Sequence, residues 1–236
     1  MKGAESAMRQ DVREKLYRFA QLLHDENARY NLTGLKSLEE IYSVLVEGSL
    51  VPVRGLDVPR GTRCADIGSG AGIPGMPIAI AYPQIECVLI ESNEKKAGFI
   101  AMASNALGLS NVAVWCSRAE DVCAEECGRA SFDIVVSRAM GFVYEVLELG
   151  LPLVRVGGFL YVYSRLRAES LDPSLGGHIE TLGGVVRLDA ARGLPDVRAG
   201  LLVKKIAHTP MEFPRRYPII KRESKKLEKR MNAGAR

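Results

Sequence analysis

Within CADIGSGAGIPGMPIAI, residues 64–80, glycines stand at 68, 70, 72 and 75. Glycine tolerates positive φ and lets the backbone pass close to a neighbour, so such a run marks a binding loop. It follows a short apolar run, TRCADI, and precedes a helical one. Strand, glycine loop, helix is how an open α/β sheet presents a nucleotide-like ligand at the carboxyl ends of its strands. No Gly-Lys-Ser/Thr is present, which excludes the phosphate-cradling loop of nucleoside triphosphatases. Two registers remain. Gly70-Ala-Gly72-Ile-Pro-Gly75 satisfies G-x-G-x-x-G, the fingerprint of dinucleotide sites. Asp66-Ile-Gly68-Ser-Gly70-Ala-Gly72 instead sets an acid at the strand end before three alternating glycines.

The second of these registers resembles the first motif of S-adenosylmethionine-dependent methyltransferases. The next strand ends in Glu91, whose two carboxyl oxygens can accept from both hydroxyls of a ribose. Both cofactor classes use such an acid. The third strand runs into CSRAED, where a methyltransferase recognises adenine. Glu120 could meet the adenine amino group there, or serve only as an acid in the first turn of a helix.

These groups need a scaffold to hold them. Val12, Leu16, Phe19, Ala20 and Leu23 share one face of a helix over residues 5 to about 30. YNLTG breaks that pattern, and Ser37, with Glu40 at capping-box distance, starts a second helix running to about Leu50. Pro52, Gly55, Pro59 and Gly61 form a loop that closes an N-terminal helical subdomain, residues 1–60. Strands then alternate with helices. TRCADI, IECVLIE, NVAVWC, FDIVVSRA and GGFLYVYS read as strands. Helices fall near 75–81, over NEKKAGFIAMASNALG, near 119–127 and over VYEVLELGLPLV. A helical or loop segment near 166–176 and two strands near 178–188 and 200–207 follow. Apolar strands alternating with helices imply an α/β core over 61–208, with a parallel sheet covered on both faces. Residues 209–236 form a basic C-terminal tail.

At 236 residues, with 47% hydrophobic and 25% charged residues, the chain suits one sizeable core with a small appendage. No apolar stretch reaches the roughly 18 residues of a membrane helix, and the N-terminus lacks the apolar centre of a signal peptide. A cytoplasmic protein with no membrane partner is expected. The five cysteines suit a reducing compartment. Cys64, Cys87 and Cys116 read as small buried hydrophobes. Cys123 and Cys127 have the spacing of half a metal site, but nothing nearby completes it, so no metal is expected. The net charge of +4 is uneven. Arg215, Arg216, Lys221, Arg222, Lys225, Lys226, Lys229 and Arg230 cluster near the end, opposed by Glu223 and Glu228. Such a cluster attracts phosphates, or forms a solvated tail.

Together the motifs resemble the RsmG (GidB) methyltransferases. The resemblance rests on YNLT at 30–33, DIGSGAGIPGMPIAI at 66–80, ESNEKKAGFI at 91–100, NVAVWCSRAED at 111–121, FDIVVSRA at 132–139 and FPRRYP at 213–218. It covers about residues 10–226, and the motifs stand in the family's order. It implies a Rossmann-like, class I S-adenosylmethionine-dependent methyltransferase sheet with an N-terminal helical extension. The implied activity is methyl transfer to guanine N7 in the 530 loop of 16S ribosomal RNA. The implied cofactor is S-adenosyl-L-methionine, and the implied partner is 16S ribosomal RNA or the small ribosomal subunit. Gly68, Gly70 and Ile73 would then border the methionine and ribose, Glu91 would take the ribose hydroxyls beside Ser92 and Asn93, and Ala119 and Glu120 would meet the adenine. Arg138 would sit where donor methyl and target base meet. Arg215, Arg216, Lys221, Lys225 and Lys226 would hold RNA. Two segments depart from the pattern. Leu45 and Gly48 stand where the family has His and Asp, and Ser164 and Arg165 where it has Lys-Gly.

Guanine N7 already has an in-plane lone pair, so the implied reaction needs no catalytic base. Arg138 could orient the base through O6 or a neighbouring phosphate, or form an ion pair with Glu91 or Asp66. Three other functions compete: a methyltransferase for another RNA site, small molecule or protein, a nicotinamide-dependent oxidoreductase using Gly70, Gly72 and Gly75, and a non-catalytic RNA-binding module. Nothing in the sequence demands a dimer, and a monomer is expected.

Overall fold

Successive side chains of a strand face opposite sides of its sheet, so a strand apolar on both faces is covered on both. In β1 (Thr62–Ile67), Cys64 joins one core while Ala65 and Ile67 join the other. In β4 (Phe132–Arg138), Ile134 and Val136 face the first core and Val135 the second. A computed structural model describes residues 9–53, 58–125, 127–164, 171–187 and 200–234.

The remaining strands are β2 (Ile85–Ile90), β3 (Val112–Trp115), β5 (Val154–Tyr163), β6 (Gly184–Val186) and β7 (Leu201–Lys205). They form a seven-stranded sheet in the order β3-β2-β1-β4-β5-β7-β6. β1 to β5 pair in parallel, and β7 runs antiparallel to both its neighbours. This is the Rossmann-like sheet of the class I methyltransferases. Strand order reverses between β1 and β4, and a crevice opens there at the carboxyl ends of the strands.

One face is covered by α1 (Gln10–Tyr30), α3 (Gly75–Ala81) and α4 (Glu94–Ala106), the other by α5 (Ala119–Ala124), α6 (Val143–Gly150), α7 (Pro173–Thr181) and α8 (Tyr217–Gly234). The apolar face of α1 expected from its spacing is buried: Leu16, Phe19 and Leu23 are fully inaccessible. Each such side chain contributes about 1.5–3 kcal/mol by leaving water. They pack in one core with Ile78, Leu89 and Val136, so the N-terminal helices are a wall of the sheet domain.

Several elements differ from the sequence expectation. The second helix begins as expected, with Ser37 Oγ accepting from Glu40 N–H at 3.1 Å. After α2 (Leu38–Glu40) it widens into a π-helical stretch, Ile41–Val46, and then tightens into a 3₁₀ stretch, Glu47–Val53. Ser43 Oγ donates to the carbonyl of Glu39, and Ser49 Oγ to that of Leu45. Such back-bonding competes with the regular ladder. The strand expected over 178–188 is shorter, because α7 runs through Thr181 and only Gly184–Val186 pairs with β7. Residues 5–8, Gly55, residues 165–170 and residue 188 lie outside the described residues. Cys64 and Cys87 are buried, but Cys116 follows the end of β3 and is exposed. Tyr217–Gly234 of the basic tail is helical, and Ile220, Ser224 and Leu227 at helical spacing seat α8 on the sheet domain. Among the described residues no helix is long and apolar enough to cross a membrane.

Candidate active site

The glycine loop turns sharply out of β1. Gly68 has φ +66°, and a Cβ there would lie 2.3 Å from Met140 Cγ, so glycine is required on both counts. The loop is tied to β2, with the N–H groups of Gly68 and Ser69 donating to Ile90 O at 2.9 and 3.1 Å. Ser69 Oγ donates to Asp66 O at 2.8 Å. Gly75 N–H donates to Asp66 Oδ2 at 2.9 Å. A Cβ on Gly75 would lie 2.9 Å from that oxygen and from Leu89, which explains the last glycine of the run. Asp66 is buried, and its other oxygen, Oδ1, has no hydrogen-bond partner. Burial, reinforced by Glu91 and opposed by the Gly75 N–H, pushes its pKa up to about 8.

Glu91 stands just past β2, 8% exposed. Its Oε2 accepts from Gly70 N–H and its Oε1 from Asn93 N–H, each at 2.8 Å. Both oxygens are therefore fixed in orientation, and each retains a lone pair for a further donor. Asn93 holds this arrangement through its backbone. Its side chain caps α4, accepting from the N–H groups of Lys95 and Lys96 at 3.0 and 3.2 Å.

A cavity of about 520 Å³ opens over this loop, in the range of small-molecule sites. Of the residues expected to hold a cofactor, Gly68, Gly70, Ile73, Glu91, Ser92, Ala119, Glu120 and Arg138 all line it. Asn93 is absent from the wall, its side chain being spent on the cap. The structure adds residues to which the sequence reading gave no place in the site. Leu32, Thr33 and Gly34 reach the wall because the buried Asn27 pins their loop. Asn27 Oδ1 accepts from Thr33 N–H at 2.8 Å, and its Nδ2 donates to Leu35 O at 3.0 Å. Met140 and Tyr217 complete another side.

Arg138 makes no ion pair with Glu91 or Asp66. Its Nη2 donates to Val44 O at 3.0 Å and its Nη1 to Leu45 O at 3.3 Å. The guanidinium lies 5.6 Å from the centre of the Tyr163 ring. Burial lowers its pKa. The irregular helix of residues 41–53 thus supplies the acceptors for this arginine. Leu45 lines the cavity, and a Cβ on Gly48 would sit 3.8 Å from Arg138 Nη1. Arg165 lies outside the described residues.

The basic cluster divides into two kinds. Arg215 turns inward and donates from Nε and Nη2 to the fully buried Glu148, which also accepts its backbone N–H at 2.9 Å. His178 Nε2 lies 3.3 Å from the same carboxyl group. Burial alone would raise the Glu148 pKa, but the hydrogen bonds from Arg215, with His178 beside the same carboxyl group, outweigh it and hold the pKa at about 2. Arg215 is therefore a structural cation, unlike its neighbours in sequence. Arg216, Lys221, Lys225 and Lys226 are exposed. Lys226 pairs with Glu223 at 3.0 Å, and Lys221 lies 5.5 Å from the centre of the Tyr217 ring. Among the described residues no group of three or more His, Cys, Asp or Glu could hold a metal ion.

The family described as rRNA small subunit methyltransferase G, GidB, matches residues 12–171. A ribosomal RNA small subunit methyltransferase G of Moorella thermoacetica is 37% identical over 83% of this chain and 82% of its own. One of Mycoplasma capricolum is 34% identical over 92% of this chain and 93% of its own. Among solved structures, a Corynebacterium glutamicum protein superposes with a TM-score of 0.52 at 18% identity, covering 86% of this chain and 93% of that one. The last is a likeness of fold.

Proposed function

The chain belongs to the rRNA small subunit methyltransferase G family, and from that premise we propose that it moves a methyl group from S-adenosylmethionine to N7 of a guanine in the 530 loop of 16S ribosomal RNA. It does so as a cytoplasmic monomer acting on that RNA or on the small subunit. The observation that carries the reading is Glu91: a buried carboxyl group at the mouth of the glycine loop, both oxygens oriented by backbone N–H groups and facing a cavity of cofactor size.

When bound, S-adenosylmethionine supplies a methyl group on a positively charged sulfur. Gly68 and Ile73 border its methionine and ribose, Glu91 accepts from the ribose hydroxyls, and Ser92, Ala119 and Glu120 line the way to the adenine. Methyl transfer from sulfur is an in-line displacement, accelerated chiefly by holding donor and acceptor in contact and in line. Guanine N7 carries its own lone pair, so no side chain need remove a proton. Arg138, held by two carbonyls and the Tyr163 ring, orients the base through O6 or an adjoining phosphate. Arg216, Lys221, Lys225 and Lys226 on and beside the exposed face of α8 hold RNA phosphates.

The test has two stages. Calorimetric titration with S-adenosylmethionine, and separately with NAD and NADP, is expected to show micromolar binding of the first alone. Transfer of labelled methyl to small-subunit RNA, followed by nucleoside mass spectrometry and mapping of the modified position, is expected to yield 7-methylguanosine in the 530 loop. Binding of a nicotinamide cofactor instead would overturn the reading, and a methylated base elsewhere would redirect it to another RNA site.

A further inference from the structure

Tyr217 is the first residue of α8, beyond the last strand of the sheet, yet it forms part of the cavity wall. It shares that wall with Arg118, Ala119 and Glu120 at the start of α5. Its placement is determined from below. α6 carries two inward-facing glutamates one turn apart, Glu145 and Glu148, both buried. Glu148 grips Arg215, two residues before the tyrosine. Glu145 Oε2 accepts from Tyr217 OH at 2.8 Å, while its Oε1 accepts from Ser224 Oγ at 2.9 Å, two turns further along α8. One carboxyl group thus fixes both the ring and the helix that carries it. Burial and the hydrogen bond to Glu145 push the Tyr217 pKa up to about 12, so the phenol keeps the proton it donates.

We propose that Tyr217 is a cofactor-positioning residue through which the C-terminal helix completes the adenosine end of the pocket. The proposal rests on reading Ala119 and Glu120 as the adenine end. Beside Ala119 and Glu120 the tyrosine supplies an apolar ring to that end of the pocket. The cofactor pocket is therefore whole only while α8 is docked on α6. The hydroxyl acts on Glu145 and the ring acts on the cofactor, so the two parts of the side chain can be separated by mutation.

In the full chain, Tyr217→Leu is expected to raise KM for S-adenosylmethionine about tenfold, the loss of one aromatic contact, while kcat at saturation falls less than about twofold. Tyr217→Phe, which keeps the ring, is expected to recover most of that loss. Methylthioadenosine, which lacks the amino-acid end of the cofactor, should lose affinity by the same factor as S-adenosylmethionine in calorimetric titration. A residue that merely supports the fold would lower the melting temperature without this split. Hydrogen exchange on the unmutated protein gives a reading independent of any variant: S-adenosylmethionine should slow exchange of the amides in the first turn of α8. Binding of S-adenosylmethionine to the unmutated protein without that protection, or equal affinities in all three proteins, would overturn the proposal and leave the proposed function standing. Failure of the unmutated protein to bind S-adenosylmethionine would overturn both.

Discussion

Val44 and Arg138 stand 94 residues apart in the chain, and the carbonyl of the first accepts from Nη2 of the second at 3.0 Å. The contact joins the irregular N-terminal helix to the end of β4, and it leaves the guanidinium facing the cavity with neutral acceptors behind it. Removing a positioned donor of this kind from a reacting centre costs about a hundredfold or more in rate. Arg138→Ala is accordingly expected to lower kcat/KM for methylation of small-subunit RNA by about that factor. Arg138→Lys should restore little, because a compact ammonium lacks the planar fork that reaches both carbonyls from a position over Tyr163. Single-turnover methyl transfer measures both.

Glu91 organises the loop with both carboxyl oxygens and lines the cavity proposed to hold the cofactor. Glu91→Gln keeps the shape but replaces one acceptor with a donor, so one N–H and one hydroxyl lose their partner. A hydrogen bond to a charged group is worth about 1.5–3 kcal/mol, which corresponds to a roughly ten- to hundredfold weaker dissociation constant for S-adenosylmethionine. Calorimetry at fixed pH reads the change, and wild-type affinity in the variant would remove Glu91 from the site.

Glu148 ties the segment before α8 to α6, and its pKa sits at about 2 against an ordinary 4.5. A carboxyl group with a depressed pKa contributes stability that is present above its ordinary pKa and lost as pH falls through the folded value. The difference amounts to about 3 kcal/mol, vanishing between pH 4.5 and 2. Arg215→Ala strands a buried charge and should destabilise the protein by about 3–5 kcal/mol near neutrality. The deficit should shrink as the solution is acidified and the stranded carboxyl group takes up a proton. Urea unfolding of both proteins across pH 3–7 checks the sign.

Salt dependence separates the exposed cations from the structural one. Each contact between a cation and single-stranded RNA contributes about −0.7 to the slope of log K against log salt. Replacing Arg216, Lys221 and Lys225 with alanine together should flatten the slope by about 2 and weaken binding to all RNA sequences alike. The melting temperature should change little, since these side chains are exposed. An unchanged slope would move the RNA surface away from α8.

Much of the molecule is legible residue by residue. β1 is bounded by Gly61 before it and Gly68 after it, and its apolar run between them identifies it without reference to anything distant. The buried face of α1 follows from spacing, because a helix repeats every 3.6 residues whatever it packs against. The glycine loop and Glu91 are equally local: a backbone turn and a strand end are short-range events. Each of these readings uses only period and punctuation, which a chain carries in its own order.

Arg215 and Arg216 are adjacent and of one type, yet one is locked on Glu148 and the other is exposed. Nothing in their immediate sequence separates them, because the carboxyl group that chooses between them lies 67 residues earlier. Tyr217 joins the cavity for the same reason, through Glu145 on that helix. The irregular winding of residues 41–53 likewise gives its carbonyls to an arginine on β4. Local sequence determined the elements, the loop and the acid that follows β2. Tertiary packing alone decided which charges face inward and which segments close the pocket, because a side chain's partner depends on what the fold brings beside it.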